Sequence, residues 1–160
     1  MIPSDFSARM PAPFGLVGVR TEGDSVAEIV YLPRSAGELA PRNRIADTVC
    51  EQIARYLADP DFSFELPLGP AGTPFQRNVW RLISAIPRGL TRSYGELAQD
   101  LGSSPRPVGQ ACGANRFPLA IPCHRVVAAG GIGGFAHHDA GFHVSVKRWL
   151  LRHEGVKLAA

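Results

Sequence analysis

Apolar residues recur along this chain with two periods, and the dominant period changes near the middle. Residues 14–20 and 25–32 are short apolar runs split by a polar stretch at 21–24, the pattern of a β-hairpin. From 42 to 57, Ile45, Val49, Ile53 and Tyr56 repeat at helical spacing. Phe62, Phe64, Leu66 and Leu68 then alternate, which predicts one more strand. The stretch LPLGPAG at 66–72 breaks any regular pattern and marks a division of the chain.

Beyond that division the period is helical. Thr73 before Pro74 is a helix start, a hydroxyl N-cap followed by proline at the first helical position. Phe75, Val79, Leu82, Ile83 and Ile86 form one face, and Pro87 ends it. Ser93-Tyr94-Gly95-Glu96 has the spacing of a capping box, Leu97 and Leu101 follow as core positions, and Gly102 stops the helix. Ser104-Pro105 opens a third helix running to about Asn115. A last helix carries Lys147 to His153 and ends at Gly155. The two short helices around Gly102-Ser103-Ser104 have the proportions of a helix-turn-helix, with Arg106 in the first turn of the second. The same spacing also fits an ordinary helical hairpin with a solvated arginine.

Composition narrows the class without naming a function. The chain has 160 residues, enough for one ordinary domain or two small ones. No apolar run approaches the roughly 18–20 residues that cross a bilayer, and residues 1–13 do not read as a secretory signal. A protein of the cytoplasm is expected. The three cysteines, Cys50, Cys112 and Cys123, form no CxxC pair and no disulfide framework. Cys50 falls inside a predicted helix and reads as a packing residue. The formal net charge is +3, which permits nucleic-acid binding without requiring it.

The chemistry concentrates at Pro122-Cys123-His124-Arg125-Val126. A nearby cation or base lowers a thiol's pKa, and the thiolate is the reactive form. Residues adjacent in sequence need not touch, so Cys123 reads either as a nucleophile or as a buried structural thiol.

A longer pattern surrounds that motif. It runs through Thr73-Pro74-Phe75-Gln76, Val79-Trp80, Ile86-Pro87, Gly89, Thr91 and Ser93-Tyr94. It continues through Arg106-Pro107-Val108-Gly109-Gln110-Ala111, Asn115 and the cysteine motif. It closes on Lys147-Arg148-Trp149-Leu150-Leu151 and His153-Glu154-Gly155. This half of the chain resembles the O6-alkylguanine-DNA alkyltransferases, and the first half resembles them loosely in its strand–strand–helix order. The fold implied is α/β in the α+β sense. A strand and helix domain over 1–68, ribonuclease-H-like by the resemblance, precedes a winged-helix-like helix-turn-helix domain over 72–160 that carries the cysteine.

The resemblance implies a reaction and a set of roles. Cys123 takes an alkyl group from O6 of guanine, His124 accepts the thiol proton through a water, and Glu154 orients the imidazole. Asn115 shapes the active-site turn, and Tyr94 donates to the departing base. Arg106 enters the helical stack in place of the flipped nucleotide, while Pro107, Val108, Gly109 and Ala111 give a small-residue surface to DNA. Arg116 and Arg125 are expected to add contacts to DNA. Cys112, Val126, Gly134, Phe135 and Ala136 are expected to line the substrate pocket. The expected partner is double-stranded DNA with alkylated bases, O4-alkylthymine remaining open beside O6-alkylguanine. The implied protein is a single-use monomer with no cofactor and no metal.

Several positions depart from the family pattern. Proline follows Asn115 only at Pro118, after Arg116 and Phe117. Phe135 and Ala136 stand where the family has tyrosine and often serine. Residues 137–143 hold three histidines and an aspartate, read as a polar loop rather than a metal site. Two other functions fit parts of the pattern. One is a lesion-binding protein that transfers nothing, which the presence of Cys123 opposes. The other is a Cys–His hydrolase, which would need an oxyanion hole and access for water.

Overall fold

The computed structural model describes residues 2–133 and 141–158. The chain forms two compact units, Met1–Pro70 and Ala71–Ala160.

In the first unit, β1 (Ala8–Ala12), β2 (Gly15–Glu22) and β3 (Ser25–Leu32) form an antiparallel meander in that order. The predicted hairpin is β2 and β3, turning at Gly23 with φ 57°. β1 was not anticipated, because Arg9 and Pro11 interrupt its short apolar pattern. Pro11 lacks an N–H and is tolerated because β1 is an edge of the sheet. Helix α1 (Arg44–Ala58) is capped by Asn43, whose side chain accepts from the Ala46 N–H at 2.8 Å. It buries Ala46, Val49, Ile53 and Tyr56, and it packs on the strands.

The strand expected across Phe62 to Leu68 is a correction. No ladder forms there, and only Leu68 makes an isolated bridge, to Val26. The side chain of Gln52 on α1 stands in for a neighbouring strand. Its amide donates to the Glu65 carbonyl at 2.8 Å and accepts from the Glu65 N–H at 2.9 Å. Phe62 and Phe64 still point inward, with Phe64 against Tyr56. The alternation therefore reported partial burial for Phe62, Phe64 and Leu66, failed at Leu68, which is exposed, and misread the hydrogen bonding.

In the second unit, α2 (Pro74–Ser84) starts with the capping box of Thr73 and Gln76. β4 (Arg92–Ser93) leads directly into α3 (Tyr94–Leu101), which has its own capping box from Ser93 and Glu96 and ends at Gly102 with φ 62°. α4 (Pro105–Gly113) packs against both α2 and α3, completing the helix-turn-helix. A 3₁₀ turn (Cys123–Arg125) follows, then β5 (Val126–Val127), which pairs parallel with β4. This two-residue ladder is too short to show in sequence. It places the entry to α3 beside the exit from the cysteine turn. α5 (Phe142–His153) begins well before the expected Lys147.

Candidate active site

Cys123 owes its position to the proline before it. Pro122 has φ −79° and ψ 66°, and the Cys123 N–H donates to the Ile121 carbonyl at 2.8 Å. That is an inverse γ-turn, whose φ lies within the range a proline ring enforces. The thiol that follows is buried.

Asn115 braces the segment leading to this turn. Its Nδ2 donates to the Ile121 carbonyl at 2.9 Å, and its Oδ1 accepts from the Phe117 N–H at 2.9 Å. Leu119, between those anchors, has φ 76°, a strained value for a non-glycine residue. Asn115→Ala is expected to lower stability by about 1–3 kcal/mol, since it strands a partly buried carbonyl and N–H. Thermal or urea unfolding measures this, and an unchanged midpoint would show that the loop keeps its shape unaided.

His124, Glu154 and Arg125 form one buried cluster. His124 Nε2 lies 2.8 Å from Glu154 Oε2. Arg125 Nε donates to Oε1 at 2.9 Å and Arg125 Nη2 to Oε2 at 3.0 Å. An ionised carboxylate only accepts, so Nε2 of His124 carries its proton and Nδ1 is the basic nitrogen. Nδ1 is buried and bonds to none of the described residues. Glu154 reaches the cluster because α5 ends there. Gly155, at φ 87°, donates to the Arg152 carbonyl at 3.0 Å, and Val156 donates to the Leu151 carbonyl at 2.9 Å. This Schellman ending leaves Glu154 as the C-cap with its side chain inside.

The electrostatics correct one expectation. His124 and Arg125 were read as neighbours that favour a Cys123 thiolate. Instead both face Glu154, and burial pushes the Cys123 thiol up, with the Asn115 side chain and Lys147 opposing it. Cys123 therefore rests as a neutral thiol. Burial also pushes His124 below the usual imidazole value, Glu154 raises it, and Arg125 and Lys147 lower it. The resting pair is a neutral thiol and a neutral base.

Arg125 is a second correction. It was grouped with the DNA contacts, but its guanidinium is spent on Glu154 and on the Ile86 carbonyl, to which Nη1 donates at 2.6 Å. Val126 is also wholly buried, and its carbonyl accepts from Lys147 Nζ at 2.7 Å. Cys112 is buried on α4, with its thiol pushed up to about 12 by burial and by Cys123, against a lowering by Lys147.

Lys147 is the site residue that sequence reasoning missed. It is completely buried. Its Nζ lies 5.8 Å from the centre of the Tyr94 ring. The available signal was a charge on the same helical stripe as Leu150, Leu151 and Glu154. Gly133 adjoins Tyr94: a Cβ there would stand 3.1 Å from Tyr94 Cε2 and 3.2 Å from the Ala128 nitrogen, at a φ of 74°. Glycine is therefore required where the loop after β5 meets the tyrosine. Gly134, Phe135 and Ala136, expected in the pocket, lie outside the described residues, as do residues 137–140.

On α4 the expected DNA surface divides. Arg106 and Pro107 are exposed and Gly109 is half-buried. They stand at the start of α4, where Ser104 makes no side-chain cap. Val108 and Ala111 are buried, which corrects their place on an outer surface. Val108 is core, and the Ala111 carbonyl accepts from Trp80 Nε1 at 2.8 Å. A groove of about 560 Å³ runs between the first turns of α2 and α4, lined by Thr73, Gln76, Ser104, Arg106 and Gln110 among others. Arg116 is half-buried in the loop after α4.

Residues 74–156 match the model of the 6-O-methylguanine DNA methyltransferase DNA-binding domain. The chain belongs to this methyltransferase family. A methylated-DNA–protein-cysteine methyltransferase of Shigella flexneri is 45% identical over 96 residues, 58% of this chain and 53% of that protein. One of Salmonella typhimurium is 42% identical over 117 residues, 71% of this chain and 64% of that protein. The chain thus spans between about half and two thirds of the length of these curated relatives. The crystal structure of Mycobacterium tuberculosis OGT in complex with DNA shares 31% identity at a TM-score of 0.74, covering 91% of this chain and 90% of that one. Tyr94, Arg106, Asn115, Cys123, His124, Lys147 and Glu154 all lie within the methyltransferase family match.

Proposed function

We propose that the protein repairs alkylated DNA by direct reversal, moving the alkyl group from O6 of guanine onto Cys123 of its own chain. The observation that carries this reading is the buried His124–Glu154 pair directly after the buried thiol of Cys123, with Nδ1 of His124 left as the base, in a chain of this methyltransferase family. The thiol proton passes by way of a water to Nδ1, and the imidazolium that forms is stabilised by Glu154. The sulfur then forms a bond to the alkyl carbon as the bond from that carbon to O6 breaks. The released electron pair stays on guanine, and the Tyr94 hydroxyl donates to the ring as negative charge collects there. Cys123 ends as a thioether, so each molecule acts once.

The proposed partner is double-stranded DNA, met by a monomer in the cytoplasm. Among the described residues no helix is long and apolar enough to cross a membrane. The target oxygen is sheltered in a duplex, so the nucleotide must leave the stack at a cost of a few kcal/mol. Arg106 fills the space it leaves, a role supported by its exposure at the start of α4. Arg106→Ala is expected to slow transfer from a duplex by roughly 10²-fold, the rate equivalent of that cost. It should leave transfer from free O6-benzylguanine nearly unchanged. Equal slowing of both would remove the filling role.

The test of the function is the intact mass of the protein after incubation with a duplex holding one O6-methylguanine. A stoichiometric gain of one methyl group, mapped to Cys123, is expected. Lesion-selective binding with no mass gain would instead describe a non-transferring lesion sensor.

A further inference from the structure

Glu154 is held at its carboxylate by His124 and Arg125, and it is held again at its backbone. Its carbonyl, at the C-cap of α5, accepts from Arg88 Nη1 at 2.9 Å. Carbonyls at a helix C-terminus have no partner within their own helix and carry partial negative charge, so a guanidinium is favoured there. Arg88 lies in residues 85–91, the loop between α2 and β4, 66 positions before Glu154.

The same loop is tied to residue 154 in two further ways. Gly89 has φ 85°, and a Cβ there would stand 3.3 Å from the Glu154 carbonyl oxygen. A side chain at that position would press on the atom that Arg88 binds and strain the backbone as well. The Leu90 N–H donates to the Pro87 carbonyl at 3.2 Å, which closes the loop into a tight turn around Arg88 and Gly89. Arg125 supplies the other tie. It donates to the Glu154 carboxylate and, through Nη1 at 2.6 Å, to the Ile86 carbonyl. Two arginines thus join this loop to residue 154, one at its main chain and one at its side chain. Beyond the loop the chain enters β4, which pairs with β5 after the cysteine turn, and reaches Tyr94.

We propose that Arg88 is a positioning residue for alkyl transfer, anchoring the backbone of Glu154 so that its carboxylate stays on His124 Nε2. This rests on the reading of His124 as the base. Glu154 follows the last residue of α5, and helix ends fray. The helix holds the Glu154 N–H, which donates to the Leu150 carbonyl at 3.0 Å. It supplies no donor to the Glu154 carbonyl. Arg88 is that donor, so the residue is pinned on both sides of its Cα. A fixed Cα matters because the carboxylate stands at the end of a flexible stem, and the 2.8 Å contact with His124 tolerates little drift.

Two readouts on two variants test this. Arg88 is exposed, so both variants should fold. Arg88→Met keeps an unbranched stem and removes the donor, while Arg88→Lys keeps a charged donor. The first readout is nitrogen NMR of histidine-labelled protein at neutral pH, with the His124 signals assigned by their loss in His124→Gln. It gives the share of each ring tautomer. The second is the single-turnover rate on an O6-methylguanine duplex.

In the unaltered chain nearly all His124 should carry its proton on Nε2. In Arg88→Met at least about a tenth should move to the Nδ1 tautomer, because the carboxylate that selects Nε2 is less firmly placed. Transfer should slow roughly tenfold, short of the ~10²-fold that a misplacement of about 1 Å can cost. Arg88→Lys should recover most of both. A contact that served only stability would lower the unfolding midpoint and leave the folded tautomer and the rate alone. An unchanged rate in Arg88→Met, or a slowed rate with the tautomer unmoved, would therefore overturn the proposal. If the unaltered chain gains no methyl group from DNA, the transfer reading fails, while the tautomer comparison still decides whether Arg88 holds the pair.

Discussion

Cys123→Ala is expected to abolish alkyl transfer while leaving binding to an O6-methylguanine duplex largely intact. Loss should be complete because neither remaining thiol can substitute. Cys112 is buried and held up to about 12. Cys50 lies on α1 in the other unit, and burial and Asp47 raise it to about 11. Binding should persist because Arg106, Pro107 and the groove between α2 and α4 contain no atom of Cys123. The turn should persist too, since Pro122 and Asn115 set its backbone through main-chain bonds. Removing one buried sulfur costs about 1 kcal/mol. Mass spectrometry and duplex binding measured on one preparation check both halves. Transfer surviving in the variant would move the nucleophile elsewhere, and lost binding would give the thiol a part in shaping the pocket.

Glu154→Gln is expected to be nearly as damaging, although it changes one atom. Arg125 donates to both carboxylate oxygens, through Nε to Oε1 and through Nη2 to Oε2, and His124 Nε2 also meets Oε2. Whichever way the glutamine amide turns, its NH₂ meets an Arg125 N–H. At the Oε2 position it also faces His124 Nε2 and pushes the ring proton onto Nδ1, the nitrogen proposed to take the thiol proton; at the Oε1 position it keeps the tautomer and breaks the Arg125 fork. Either way the charge that stabilises the imidazolium is lost, and transfer should fall by roughly 10²- to 10⁴-fold. Stability should fall by about 3 kcal/mol, because Arg125 keeps its charge in a mostly buried place without a carboxylate. Single-turnover rates and denaturant unfolding measure the two effects. A rate within tenfold of the original would mean that Glu154 neither selects the tautomer nor stabilises the imidazolium.

The same cluster implies a pH dependence of folding. Folded His124 titrates below its ordinary value, since burial dominates and Arg125 and Lys147 add to it. The unfolded chain therefore binds that proton first on acidification. The contribution of His124 to stability rises with pH across the window between the folded value and the ordinary ~6.5, and it is lost on descending through that window.

Much of the second unit was legible because its signals are local. Thr73 with Pro74, Ser93 with Glu96, and Gly102 satisfy or end helices within a few residues of themselves, so neighbouring sequence specifies them. The resemblance placed Cys123, His124, Asn115 and Glu154 in one site, and the structure brings His124 to Glu154 and Asn115 to the cysteine turn. In the first unit, β2, β3 and α1 followed from periodicity alone. β1 and the segment from Phe62 to Leu68 did not, because strand pairing depends on a partner that no local pattern contains. For that segment the partner is the side chain of Gln52.

What the sequence determined by itself was the order of elements, their caps and the chemical types gathered at the site. Only the tertiary structure decided which charges face inward. Arg125 and Lys147 look alike in sequence to arginines and lysines on a solvated face. Helix α5 turns Lys147 under β5, and the 3₁₀ turn points Arg125 at Glu154. Neighbouring charges and burial, rather than residue type, then set each protonation state: Cys123 is left a neutral thiol and His124 a neutral base. That outcome depends on low-dielectric surroundings assembled from α2, α4 and α5, which no stretch of sequence contains.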